Sequence, residues 1–121
     1  MIDDDPVIRT LLRQALNQDG FSVLTAAGGE DGLYVYWQHC ATIALVIVDV
    51  HMPYPDGVET VAALRQLDPA VRFCFMTGGS TYQEAELLEV GALCLLRKPF
   101  SSLTDVAAMV RRLATAAEQE D

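Results

Sequence analysis

Residues 44 to 48 read ALVIV, five apolar side chains with no polar break, and the next residue is Asp49. A strand with one wet face alternates apolar and polar residues. An unbroken run marks a strand covered on both faces, as in a parallel sheet between two helical layers. A carboxylate at the end of such a run is costly to bury alone. At the carboxyl end of a parallel strand it stands at the rim where open α/β sheets hold ligands. This one segment predicts the layering of the chain and the edge at which its chemistry is concentrated.

The rest of the sequence alternates in the same sense. Asp5-Pro6 reads as an N-cap followed by proline at the first helical position. Val7, Ile8, Leu11, Leu12, Ala15 and Leu16 recur at helical spacing until Gly20. Phe21 to Thr25 is predicted as a strand, broken by Gly28 and Gly29, and Glu30 to Cys40 as a second helix. After the turn from Pro53 to Gly57, Val58, Val61, Ala62 and Leu64 mark a third helix, ended at Asp68-Pro69. Arg72 to Thr77 is a strand, Gly78-Gly79 a loop, and Tyr82 to Val90 a helix stopped by Gly91. Leu93 to Arg97 is the next strand, closed by Lys98-Pro99. Ser102 with Asp105 resembles a capping box, and Leu103, Val106, Val110, Leu113 and Ala117 form the inner face of the last helix. Glu118 to Asp121 is an acidic tail expected to fray.

Four strands and five helices in strict alternation imply a parallel sheet with right-handed crossovers. A fifth strand is required before the first helix, where only Met1 and Ile2 stand. We expect that strand to be truncated, with residues lost upstream. The chain has 121 residues, no internal repeat and no linker, and reads as one domain over 1–121.

The net charge of −9 argues against direct nucleic-acid or membrane-surface binding, since phosphates would repel the chain. Cys40, Cys74 and Cys94 are odd in number and widely spaced; Cys74 and Cys94 lie in apolar runs and read as buried free thiols. That implies a reducing setting, and we expect a cytoplasmic location. No apolar run of membrane-spanning length and no signal peptide is visible in this sequence.

Polar residues recur at the predicted strand ends: Asp3 and Asp4, Asp49, Thr77 and Lys98. In a parallel sheet these ends all point one way, so the groups converge on one rim. Crowded carboxylates repel, and either raised pKa values or a bound cation answers the repulsion. Oxygen-only ligation suits a hard ion such as Mg²⁺, which accepts phosphate oxygens and keeps waters. A carboxylate can attack phosphorus, and an ammonium can neutralise the transferred group. Lys98 is the only lysine in the chain.

The segments IDDDP, VIVDVHMPYPDG, MTGG and LLRKPF, in that order and spacing, resemble the signature segments of response-regulator receiver domains from Ile2 to about Ala117. The resemblance implies a flavodoxin-like (βα)5 fold, with five parallel strands in the order 2-1-3-4-5 that receivers share. By position, Asp49 resembles the phosphoacceptor, Asp4 the direct metal ligand and Asp3 the acid that holds metal through water. The backbone carbonyl of His51 resembles the third protein ligand to Mg²⁺. Thr77 resembles the switch hydroxyl, Lys98 the phosphate-contacting lysine, and Pro99 the proline joined to it by a cis peptide. The function implied is acceptance of a phosphoryl group from a histidine kinase or histidine phosphotransfer domain, then repacking of the face made by the fourth helix, fifth strand and fifth helix. Slow self-dephosphorylation follows, without enzymatic turnover of a small substrate. Homodimerisation through the same face is a further expectation.

Plainer roles fit other residues. Asp5 is expected to cap its helix, the His51 side chain to point outward, and His39, Tyr34, Tyr36 and Trp37 to be structural. Two departures from the family pattern matter. Leu95 stands where many receivers carry an aromatic switch residue, which keeps open a phosphorylation-independent interaction module on the same scaffold. Gly78-Gly79 follows Thr77 where alanine or serine is common first, so residues 78 to 82 are expected to be mobile without phosphate or metal. A haloacid-dehalogenase-type phosphatase is disfavoured because His51 occupies the place of its second acid. A flavin site is disfavoured because no phosphate-cradling glycine loop is present.

Overall fold

The structure is a computed structural model that describes residues 1–79 and 81–118, with side chains described as far as residue 116. The expected fraying of the tail falls on residues 119–121, which lie outside the described residues, as do Ser80 of the 78–82 loop and the side chain of Ala117. The elements are α1 (Pro6–Gln18), α2 (Gly29–His39), a 3₁₀ turn (Cys40–Thr42), β1 (Val46–Asp49), α3 (Gly57–Leu67), β2 (Phe73–Thr77), α4 (Glu84–Val90), β3 (Leu95–Arg97) and α5 (Leu103–Glu118).

β1, β2 and β3 form a parallel sheet in that order, with Val48 opposite Phe75 and Phe75 opposite Leu95. Ile2 extends it by bridging Val48 on one side and Ala26 on the other, both in parallel sense. Ile2 N–H donates to the Ile47 carbonyl, and Asp49 N–H donates to the Ile2 carbonyl, each at 2.8 Å. Ala26 N–H donates to the Met1 carbonyl at 2.9 Å. The five segments therefore lie across the sheet in the expected 2-1-3-4-5 order. The first two are single bridges rather than full strands because Met1 to Asp3 offer so little backbone to pair. The segment predicted as a strand over 21–25 instead borders an open groove of about 510 Å³, with Ile43 to Ile47 on the facing wall.

Burial follows the strand period of two. Val46, Val48, Phe73 and Phe75 join a cluster with Tyr36 of α2, Val61 and Leu64 of α3 and Leu87 of α4. Ile47, Met76 and Leu96 turn the other way, against Leu12 and Leu16 of α1 and Val106 and Val110 of α5. Every residue of β1 and β2 is buried, so the apolar run met first in the sequence is a strand covered on both faces. Tyr36 joins the core while Tyr34 and Trp37 are exposed, as their helical spacing implies.

Helix ends carry recognisable chemistry. The Asp5 carboxylate accepts from Val7 N–H at 2.9 Å and Pro6 opens α1, the capping role expected of it. Ser102 Oγ accepts from Asp105 N–H at 3.1 Å, which supplies one of the two bonds of a capping box. α3 begins with a complete box that was not anticipated from the sequence: Asp56 accepts from Glu59 N–H and Glu59 from Asp56 N–H, both at 2.9 Å. Tyr82 adds to it, its hydroxyl donating to the second Asp56 oxygen at 2.8 Å. That contact lies in the loop, because α4 starts at Glu84, two residues later than its predicted start at Tyr82. Gly91 ends α4 at φ 113°, a left-handed conformation that disfavours any side chain. No helix among the described residues is long and apolar enough to cross a membrane.

Asp56 therefore holds the start of α3 and the loop before α4 together. Asp56→Ala is expected to cost about 1–2 kcal/mol in urea unfolding, and Tyr82→Phe about 1 kcal/mol or less. Equal stability of Asp56→Ala and wild type would refute the double role.

Candidate functional site

Asp49 is the last residue of β1 and is 4% exposed. The bridge from Ile2 sets Asp3 beside it, because the Asp49 N–H binds the Ile2 carbonyl and Asp3 is the next residue. Asp3 is fully buried. Its Oδ1 accepts from Asp5 N–H at 2.8 Å, and Arg9 donates to its backbone carbonyl at 2.8 Å. These bonds hold the first residues of the chain against the start of α1. Arg9 was not anticipated, since nothing in its spacing distinguishes it from an ordinary exposed helical arginine.

Lys98 enters from the end of β3. Its backbone N–H donates to the Thr77 carbonyl at 2.8 Å, which fixes the two adjacent strand ends together. Its ammonium donates to Asp3 Oδ2 at 2.7 Å and lies 3.3 Å from Asp49 Oδ1. His51 N–H donates to the same Asp49 oxygen at 3.4 Å, while the His51 side chain is exposed as expected. Asp4 is exposed, yet carboxylate oxygens of Asp3, Asp4 and Asp49 all lie within 4.8 Å of one another. The predicted convergence of acids and amine at one rim is what the structure contains, with Thr77 at the adjoining strand end. The Lys98–Pro99 peptide is cis, and so is Tyr54–Pro55, for which the sequence held no signal.

The floor of the site has little room. A Cβ on Gly57 would fall 2.4 Å from the Asp49 carbonyl oxygen and 2.7 Å from Val50 Cα. Glycine at the start of α3 lets that helix approach the backbone of the strand end.

Burial, with the charge of Asp3 second, raises the Asp49 pKa from 3.8 to about 6, while Lys98 and the His51 N–H act in the opposite direction. For Lys98, burial acts to lower the pKa, but the bond to Asp3 and the charges of Asp49 and Asp3 outweigh it and the net shift is upward. The ammonium is therefore held in its charged form between two acids. Three carboxylates against one ammonium leave an excess of negative charge, and every side-chain ligand on offer is a hard oxygen. That donor set fits a divalent ion of the magnesium type better than a soft or nitrogen-seeking metal.

Comparison with known proteins agrees with this geometry. The family model described as "Response regulator receiver domain" matches residues 1–111. The transcriptional regulatory protein CpxR of Escherichia coli strain K12 is 33% identical over 124 residues, covering 100% of this chain and 52% of its own length. The chain thus spans about half the length of such curated relatives. A response regulator receiver domain protein from Clostridium thermocellum superposes with a TM-score of 0.87 at 28% identity, covering 98% of this chain and 94% of that one. A chain of the CheX–CheY–BeF3–Mg²⁺ complex from Borrelia burgdorferi superposes with a TM-score of 0.79 at 25% identity, covering 97% and 85%.

The raised pKa of Asp49 has a consequence for stability with a definite sign. The folded value lies above the unfolded one, so the carboxyl favours folding below about pH 4. That contribution is lost as the pH rises through about 6. In EDTA at pH 7.5, Asp49→Asn is expected to be more stable than wild type by on the order of 2 kcal/mol. The gap should close toward pH 4. A gap of equal size at both pH values in denaturant titrations would show that the strain is not electrostatic.

Proposed function

The chain belongs to the response regulator receiver domain family, and from that membership we propose that residues 1–121 form a single receiver domain with Asp49 as its phosphoacceptor. The observation that carries this reading is the Lys98 ammonium, 2.7 Å from Asp3 and 3.3 Å from Asp49 at the rim of the sheet. The donor is a phosphohistidine on a histidine kinase or a histidine phosphotransfer domain. An Asp49 oxygen attacks phosphorus, the Oδ–P bond forms as the P–N bond breaks, and the imidazole leaves.

Each residue has a task that follows from its position. Asp3 holds Lys98 charged and aimed at the phosphoryl oxygens, where the ammonium offsets their charge. Thr77, at the neighbouring strand end, donates its hydroxyl to a phosphoryl oxygen. Asp3, Asp4, Asp49 and the His51 carbonyl would hold Mg²⁺, which when bound supplies neutralising charge to the phosphoryl oxygens. The Borrelia complex contains both Mg²⁺ and BeF3, which supports this pairing of ion and phosphoryl site. Movement of Thr77 and Lys98 toward the new anion repacks α4, β3 and α5, a shift between two packings. The acyl phosphate then hydrolyses slowly, and the location is cytoplasmic.

A second reading rests on Leu95, half-buried in β3 and packed on the core without a ring to swing inward. In that reading the domain is a docking module that works without phosphate.

Acetyl phosphate with Mg²⁺ is expected to add one phosphoryl group, read by intact mass, with no addition to Asp49→Asn. Lys98→Ala should slow the addition by on the order of 10²-fold. Failure of the wild type to react while it remains folded would leave only the docking reading. At a hundredfold excess over its Kd, Mg²⁺ should stabilise the wild type by about 2.7 kcal/mol. Asp4→Asn should lose most of that gain.

A further inference from the structure

Away from the rim, β2 and β3 bring two thiols together. Phe75 is in register with Leu95, so Cys74 and Cys94 stand opposite each other one step earlier. Phe75 N–H donates to the Cys94 carbonyl at 3.3 Å. Neighbouring strands run about 4.8 Å apart, inside the Cα separation a disulfide spans, about 4.4–6.8 Å. The two sulfurs are 3.0 Å apart, with Cys94 donating to Cys74. Cys74 is fully buried and Cys94 half-buried on the α1/α5 face of the sheet. Cys40, the third thiol, is exposed.

We propose that Cys74 and Cys94 are a reversible oxidation site that closes to a disulfide joining β2 to β3. The oxidant class is a peroxide, and Cys94 is the entry point because it is the one of the pair that solvent reaches. The sulfur–sulfur contact with Cys74 lowers the Cys94 pKa, while the contact with Cys94 and burial raise the pKa of Cys74. The thiolate of Cys94 attacks one peroxide oxygen, the O–O bond breaks, and a sulfenic acid and hydroxide result; the hydroxide takes up the proton that Cys94 lost on ionising and becomes water. The Cys74 sulfur attacks the sulfenic sulfur and the S–O bond breaks. The departing hydroxide takes the Cys74 proton as a second water. Two thiols are oxidised by two electrons and one peroxide is reduced. A thiol reductant reverses the bond by exchange. The inference does not depend on the role of Asp49. It does place a cross-link three residues before Thr77 and four before Lys98.

The test uses the full chain carrying Cys40→Ser, which removes cross-linking through the exposed thiol. The protein is treated with hydrogen peroxide, alkylated in denaturant and mapped without reduction. The expected product is lighter by two hydrogens, contains a linked Cys74–Cys94 peptide pair, and regains both thiols with dithiothreitol. Cys94→Ser should slow loss of the Cys74 thiol by at least about tenfold. The same linked pair should appear in peptides from the unmutated chain, which keeps the test independent of how any variant folds. Oxidation of Cys94 to sulfinic or sulfonic acid with Cys74 still free would overturn the proposal. So would survival of both thiols.

Discussion

The ion pair between Lys98 and Asp3 is the contact on which the rest of the site depends. A fully buried carboxylate is costly unless a charge and hydrogen bonds compensate it. Asp3 has both, from the Lys98 ammonium and the Asp5 N–H. It joins the first residues of the chain to the last strand, 95 positions apart in sequence. The sheet between them carries Asp49, so one contact closes the structure around the buried acid at the end of β1. Because this chain has a single lysine, no neighbouring ammonium can take over if Lys98 is lost.

The fold and the site share one electrostatic logic. Parallel strands deliver their carboxyl ends to a common rim, and right-handed crossovers keep helices on both faces below it. The chain places acids at that rim in excess of its cation. The unfavourable part of the arrangement appears in the raised pKa of Asp49. A site under such repulsion gains when positive charge arrives, and in the proposed function a phosphoryl group bound beside a cation would bring new hydrogen-bond acceptors for Lys98 and Thr77. The proposed function and the local instability are thus two readings of the same crowding.

How much of this was visible in the sequence differs from residue to residue. The run from Ala44 to Val48, the Asp5-Pro6 cap and the grouping of Asp3, Asp4, Asp49, Thr77 and Lys98 were legible, because each rests on local pattern or on the polarity of parallel strands. Which acid is buried was not legible: Asp3, Asp4 and Asp5 are chemically alike, and only the pairing of Ile2 decides that Asp3 turns inward. The Asp56–Glu59 box was written in the sequence as an acid followed three residues later by glutamate, but the nearby prolines and glycine point equally to a turn. The Tyr82–Asp56 and Arg97–Glu84 contacts join residues far apart in the chain and carry no local signal. The first two strands were legible as apolar segments, but their reduction to single bridges depends on how much backbone lies beside them.

The alternation of burial along β1 has an evolutionary corollary. Val46 and Val48 face one helical layer and Ile47 the other. Adding or deleting one residue within this strand would exchange the two sets and rotate Asp49 away from Lys98 at the same time. Length variation in a lineage of such chains is therefore confined to the connections between elements, while the strand can change only by substitution.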